Sequence, residues 1–158
     1  SIIAAEKEEK LLETLPRELV DVAKGFKEYL SVIPESKIAM EVGVSAMHDV
    51  TEGGVFGALW ELGEASGVGI TAHLDKIPIK QETIEVCEVF KINPYMLISS
   101  GSMMIGCEKG NLLVEKLEEA GINAAVIGRA TEGNDRIVVG RDEIRYIGPA
   151  GSDELYKI

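Results

Sequence analysis

At 158 residues the chain is long enough for one domain with a real core, and a second full domain would not fit. Its formal net charge of -11, from 27 acidic against 16 basic side chains, repels nucleic-acid phosphates and anionic membranes. No apolar run approaches the roughly 20 residues of a membrane helix, and with aromatics at 5% the core must be mainly aliphatic.

Ser1–Ala5 reads as the end of a strand. With no initiator Met it suggests a piece of a larger parent protein. Residues 6–15 have a helical composition with Leu11, Leu12 and Leu15 on one stripe. Pro16 suits the first position of a second helix running to Leu30, with Leu19, Val20, Ala23, Phe26 and Leu30 as its buried face. Pro34 opens a third helix, through Met40 and Val42, that Gly43 ends. Val44–Met47 is a short strand, His48–Gly54 a polar loop, and Val55–Ser66 a helix stopped by Gly67. A strand over residues 69–72 follows, then the extended Ile77-Pro78-Ile79 and a helix over residues 82–90. Asn93 caps another helical start before Pro94. Ser99–Ser102 is a second loop of small residues. Met103–Cys107 is a strand and Asn111–Ala120 an amphipathic helix stopped by Gly121. Ala124–Ile127, Arg136–Val139 and Ile144–Ile147 are strands, the last two a hairpin. The tail from Gly148, with Asp153 and Glu154, reads as charged surface. Helices alternating with strands give an α/β or α+β class.

Cys87 and Cys107 stand at no ligand spacing and read as buried thiols of a reducing cytoplasm. His73 has no second ligand nearby, so no metal is expected. Trp60, Phe56, Met96, Met103 and Met104 read as packing.

The first loop has a specific physical logic. The first turn of a helix leaves backbone N–H groups unpaired and partly positive. Gly53 and Gly54, without side chains, let such groups approach a phosphate or a carbonyl oxygen. Asp49 and Thr51 cap the helix, position a ligand, or both, and the charge of His48 is adjustable near neutral pH. By spacing alone the plainer account, a capped helix after a tight turn, is the better one. The hydroxyls of Ser99, Ser100 and Ser102 around Gly101 suit phosphate oxygens. Alone, they too are better read as a turn into a strand.

Met47-His-Asp-Val-Thr-Glu-Gly-Gly54, followed by Glu64-Ala-Ser-Gly-Val-Gly69, resembles the signature of the C-terminal domain in the aminoimidazole ribonucleotide synthetase superfamily. The nearest version is that of the hydrogenase maturation (HypE) branch, Met-x-Asp-Pro-Thr-x-Gly-Gly. The likeness continues through Ile77-Pro-Ile79, Asn93-Pro-Tyr95 and the Ser99–Ser102 loop to about Gly133. It departs from that branch where Asn-Glu-Gly-Lys becomes Ser99-Ser-Gly-Ser102, which removes a carboxylate at Ser100. The terminal Pro-Arg-Ile-Cys of that branch also becomes Leu155-Tyr-Lys-Ile158, so, for a chain that ends there naturally, hydrogenase cyanide-ligand synthesis by a terminal thiol is not expected.

The resemblance implies a three-layer α/β/α domain with a mixed sheet and partial likeness to a ferredoxin fold. Residues 1–33 become a helical lead-in from a missing N-terminal domain. That domain dimerises and carries most ligands for ATP and Mg2+, so a homodimer is expected of the whole protein. The implied reaction is ATP-dependent activation of an amide or carbonyl oxygen of a small-molecule substrate by phosphoryl transfer, in the cytoplasm. His48 and Asp49 would be catalytic. Thr51, Glu52, Gly53, Gly54, Ser99, Ser100, Gly101 and Ser102 would bind phosphate or substrate. The chain alone would be inactive. The alternative is a non-catalytic ligand-binding or dimer-stabilising module of the same fold.

Overall fold

The computed structural model describes residues 1–158. Its first third is helical. Ile2–Glu6 (α1) and Glu8–Leu12 (α2) are short helices broken at Lys7. The opening is therefore helix and not a strand end. Ile3 and Ala4 of α1 and Leu11 of α2 are all three buried. Pro16 sits just outside the next helix, Arg17–Gly25 (α3), with ψ at 144°. That helix tightens into a 3-10 turn at Phe26–Tyr29 after the weak helix former Gly25. Leu30 lies beyond the turn and is exposed, against expectation, while Val20 and Ala23 are buried as expected. Gln81–Phe90 (α6) brings Val86 and Cys87 against Leu11 and Val20, closing the first apolar cluster.

Ile33–Val42 (α4) ends at Gly43, whose φ of 91° suits glycine. Ala46–Asp49 (β1) pairs antiparallel with Met103–Gly106 (β3) as a separate two-stranded sheet. Ala39 of α4 packs with Leu113 and Leu117 of Gly110–Glu119 (α7), and Ile105 of β3 joins them. Met104, the residue before it, packs instead with Leu59 of Gly54–Ser66 (α5), as strand alternation requires.

The larger sheet is mixed, with its four strands in the order Gly128–Thr131, Gly69–His73, Arg136–Val139, Ile144–Tyr146. Gly69–His73 (β2) runs parallel to Arg136–Val139 (β5) and antiparallel to Gly128–Thr131 (β4). Ile144–Tyr146 (β6) closes the expected hairpin with β5. The strand expected over residues 124–127 lies instead at 128–131. At Gly128 the chain comes so close to Thr71 that a Cβ would overlap its carbonyl oxygen, so pairing starts where glycine allows it. Ile127 contributes only its carbonyl, which accepts from the His73 amide at 2.8 Å. Leu59, Ile70, Ala72 and Val138 form the core between this sheet and α5. No helix is long and apolar enough to cross a membrane.

Candidate functional site

Strand β1 runs two residues further than its apolar run suggests. His48 pairs with Met104 and Asp49 with Met103, so both are strand residues and the turn begins at Val50. The Val50 amide then donates to the Ser102 carbonyl at 2.9 Å. The two loops singled out in the sequence therefore meet at one edge.

His48 and Asp49 are successive strand residues and point to opposite faces. His48 turns toward α5, where its Nε2 lies 2.7 Å from Glu61 Oε2. A carboxylate only accepts, so the imidazole proton of that contact is on Nε2 and Nδ1 is left as the second functional nitrogen. Nδ1 is 3.7 Å from Asp49 Oδ1, too far for a hydrogen bond. Sequence reasoning missed Glu61. Its signal was available: Gly54, Gly57, Ala58 and Glu61 recur at i, i+3, i+4, i+7, a small-residue stripe that ends in an acid.

The glycines serve the chain's own packing. Gly53 (φ 78°) and Gly54 (φ 61°) are both buried in the left-handed region. A Cβ on Gly54 would stand 2.6 Å from the Leu97 carbonyl oxygen and 2.7 Å from that of Tyr95. On Gly53 it would stand 2.7 Å from the Ala150 methyl. Gly101 (φ 95°) passes the Tyr29 carbonyl just as closely. The side-chain space that Gly53 and Gly54 leave is thus taken up by the chain itself. The Gly53 amide donates to Asp153 Oδ2 at 2.7 Å, the Gly54 amide to Thr51 O at 3.1 Å, and the Gly57 amide to Gly53 O at 3.0 Å. The amides of Val55 and Phe56 have no protein acceptor.

The tail corrects an expectation. Asp153 and Glu154, expected as surface charge, are only 3% and 4% exposed. They are buried because backbone donors meet them. Asp153 Oδ1 accepts from the Leu155 amide at 2.8 Å, and Glu154 Oε2 from the Asn93 amide at 3.3 Å. Asn93 in turn caps the 3-10 turn Pro94–Met96 through the Tyr95 amide, as expected. Tyr156 donates its hydroxyl to Glu52 Oε1 at 2.9 Å, and this bond to a carboxylate holds its phenol above the usual range.

Of the expected site residues, Asp49, Thr51, Glu52, Ser100 and Ser102 are exposed, while Ser99 and Gly101 are half-buried. The Ser99 hydroxyl is spent on the Leu97 carbonyl at 2.8 Å. No three His, Cys, Asp or Glu side chains converge as a metal site. A cavity of about 140 Å3 lies beside α5, lined by Phe56, Tyr95, Val138, Glu143 and Arg145 among others, and none of the expected site residues lines it. Phe56 and Tyr95 are stacked there, their ring centroids 5.5 Å apart.

A mixed α/β domain with two loops joined at the edge of a two-stranded sheet is the class that fold and site define. Over residues 1–140 the sequence matches the family described as AIR synthase related protein, C-terminal domain, and the chain belongs to that family. It is 33% identical over 134 residues to a protein of Methanocaldococcus jannaschii named for hydrogenase expression and formation, a match covering 79% of this chain and 39% of that one. It is 30% identical over 97 residues to the carbamoyl dehydratase HypE of Rhodobacter capsulatus, covering 59% of this chain and 28% of that one. Among solved structures, HypE of E. coli, a hydrogenase maturation protein, superimposes with a TM-score of 0.70 at 24% identity, covering 80% of this chain and 42% of that one. HypE in complex with ATP superimposes at 0.65 and 20% identity, covering 73% and 39%. These likenesses show the fold. The chain spans less than half the length of these relatives.

Proposed function

We propose that the chain is the C-terminal half of an ATP-dependent enzyme that activates an amide or carbonyl oxygen of a small substrate by phosphoryl transfer. It supplies one wall of a cleft shared with a separate ATP domain, which carries most ligands for ATP and Mg2+ and through which the whole protein dimerises. Family membership supports this reading, as does the name of one relative, carbamoyl dehydratase, which states the removal of water from a carbamoyl group. The observation that supports the reading is the register of β1 on β3, continued by the Val50 amide on the Ser102 carbonyl, which joins the end of β1 to the second loop.

In this reading the substrate oxygen attacks the γ-phosphorus, ADP leaves, and a proton departs from the substrate nitrogen. His48, oriented by Glu61, takes that proton on Nδ1. The unpaired Val55 and Phe56 amides, with Thr51, Ser100 and Ser102, orient the oxygen, and positioning carries most of the rate. In the natural full-length protein, His48→Gln and Asp49→Ala are each expected to cut Mg-ATP-dependent phosphate release about tenfold or more. Unaltered release from both variants, at unaltered melting temperature, would refute the assignment.

One observation favours the second reading, a ligand-binding or dimer-stabilising module: the Gly53 amide already holds the chain's own Asp153. Binding of Mg-ATP without phosphate release would select it.

A further inference from the structure

The tail is a strap with both ends pinned and its middle laid across the turn. At one end the Ile147 amide donates to the Arg136 carbonyl at 2.8 Å, and the Ile147 side chain packs on the Leu59 cluster. At the other end Leu155 and Ile158 pack on the cluster around Leu11 and Cys87. Between these anchors residues 148–152 are exposed, and a Cβ on Gly148 or Gly151 would meet nothing within 4 Å. The crossing holds the turn at three places. The Ala150 methyl covers Gly53 and Gly57, Asp153 accepts from the Gly53 amide, and Tyr156 donates to Glu52.

A turn covered in this way cannot offer the Gly53 amide to anything else. Its outer side is closed by a methyl group and its donor is bound to a carboxylate. The clasp consists of two hydrogen bonds: the one from Tyr156 lies at the surface, and the one from the Gly53 amide goes to a buried carboxylate. Gly148 and Gly151 give residues 148–152 freedom to bow outward, and the clasp opens when the Asp153 and Tyr156 side chains also turn away from the Gly53 amide and Glu52.

We infer that residues 148–158 form an autoinhibitory latch over the turn that precedes α5, closed by Asp153 and Tyr156. The functional side of this inference rests on the proposed role of that turn, and the contact itself does not. Opening the latch frees the Gly53 amide and removes a carboxylate from the place where substrate oxygen approaches.

The test uses the natural full-length protein, with Asp153→Ala combined with Tyr156→Phe as the open variant and Tyr156→Phe alone as the milder one. Hydrogen–deuterium exchange over residues 50–57 is expected to be at least tenfold faster in the open variant, with a smaller increase in the milder one. Phosphate release at limiting Mg-ATP is expected to rise severalfold in the same order. Unchanged exchange at Gly53 in both variants would overturn the latch, and so would faster exchange with slower phosphate release. If neither the native protein nor any variant releases phosphate, the phosphoryl-transfer reading fails, and the exchange result alone decides the latch. Should the double variant not fold, the same two measurements on Tyr156→Phe decide it.

Discussion

The chemistry available to His48 is set by a residue on another element. Glu61 accepts from Nε2, so the nitrogen that faces away from α5 is the one free to take a proton. Glu61→Gln tests this with almost no change in shape. The Gln amide donates where the carboxylate accepted, which favours the tautomer with the proton on Nδ1. For the base proposed above, that tautomer is the wrong one. Phosphate release in the full-length protein is expected to fall about tenfold while the melting temperature stays within a few degrees. A structural role for the pair predicts the opposite order, with melting affected first. Glu61 was legible only in part. The stripe Gly54, Gly57, Ala58, Glu61 marks a helix face built for close approach, but nothing in the sequence says that His48 lies opposite it. Long-range partners of this kind depend on the register of β1, and register follows from pairing with β3 more than fifty residues later.

At the scale of elements, the ends of helices decide where chain meets chain. Two left-handed glycines separate the effect of backbone strain from that of packing. Gly121, just beyond α7, has a φ of 78° and open space around it. Gly121→Ala is expected to cost about 1 kcal/mol, from the backbone conformation alone. Gly54, at the start of α5, has a similar φ of 61°, but its Cβ would press on two backbone carbonyls. Those oxygens belong to the capped segment Asn93–Leu97 and cannot swing aside as a side chain does. Gly54→Ala is expected to cost about 3 kcal/mol. Urea denaturation of both variants checks this, and equal losses would show that the 95–97 segment yields. The pattern of elements was largely readable, because periodicity, capping residues and stop signals are local. The errors fall where nonlocal contact overrides them. Polar His48 and Asp49 looked like loop until β3 paired with them, and the pairing of β4 slid to the one residue small enough to pass Thr71. The Gly-Gly turn was legible as a turn with left-handed residues. Its filling by Ala150 and Asp153 was not, because an acidic tail reads as solvated until its backbone partners are known.

At the scale of the whole molecule, the beginning, the middle and the end of the chain share one core. The cluster that contains Ile3 and Leu11 also contains Cys87 of α6, and Leu155 and Ile158 of the tail pack on it. Burial pushes the Cys87 thiol up from 9.0 to about 11, and the charge of Glu154 in the tail adds to the effect. The consequence for stability has a definite sign. Below pH 9 the thiol is protonated in folded and unfolded chains alike, and stability does not depend on it. Above pH 9 the unfolded chain gives up the proton while the folded chain keeps it, so the unfolded state binds fewer protons and stability falls. The loss runs through the interval up to about pH 11 and then levels off. The urea midpoint of the native protein is therefore expected to drop more steeply between pH 8.5 and 10.5 than that of Cys87→Ala, which starts lower because of its cavity but carries no thiol. The same burial makes Cys107, which is half-buried, the thiol that iodoacetamide reaches first in the folded chain. Parallel slopes for the two proteins would place Cys87 in contact with water, and the joint packing of α6 with the tail would then have to be abandoned.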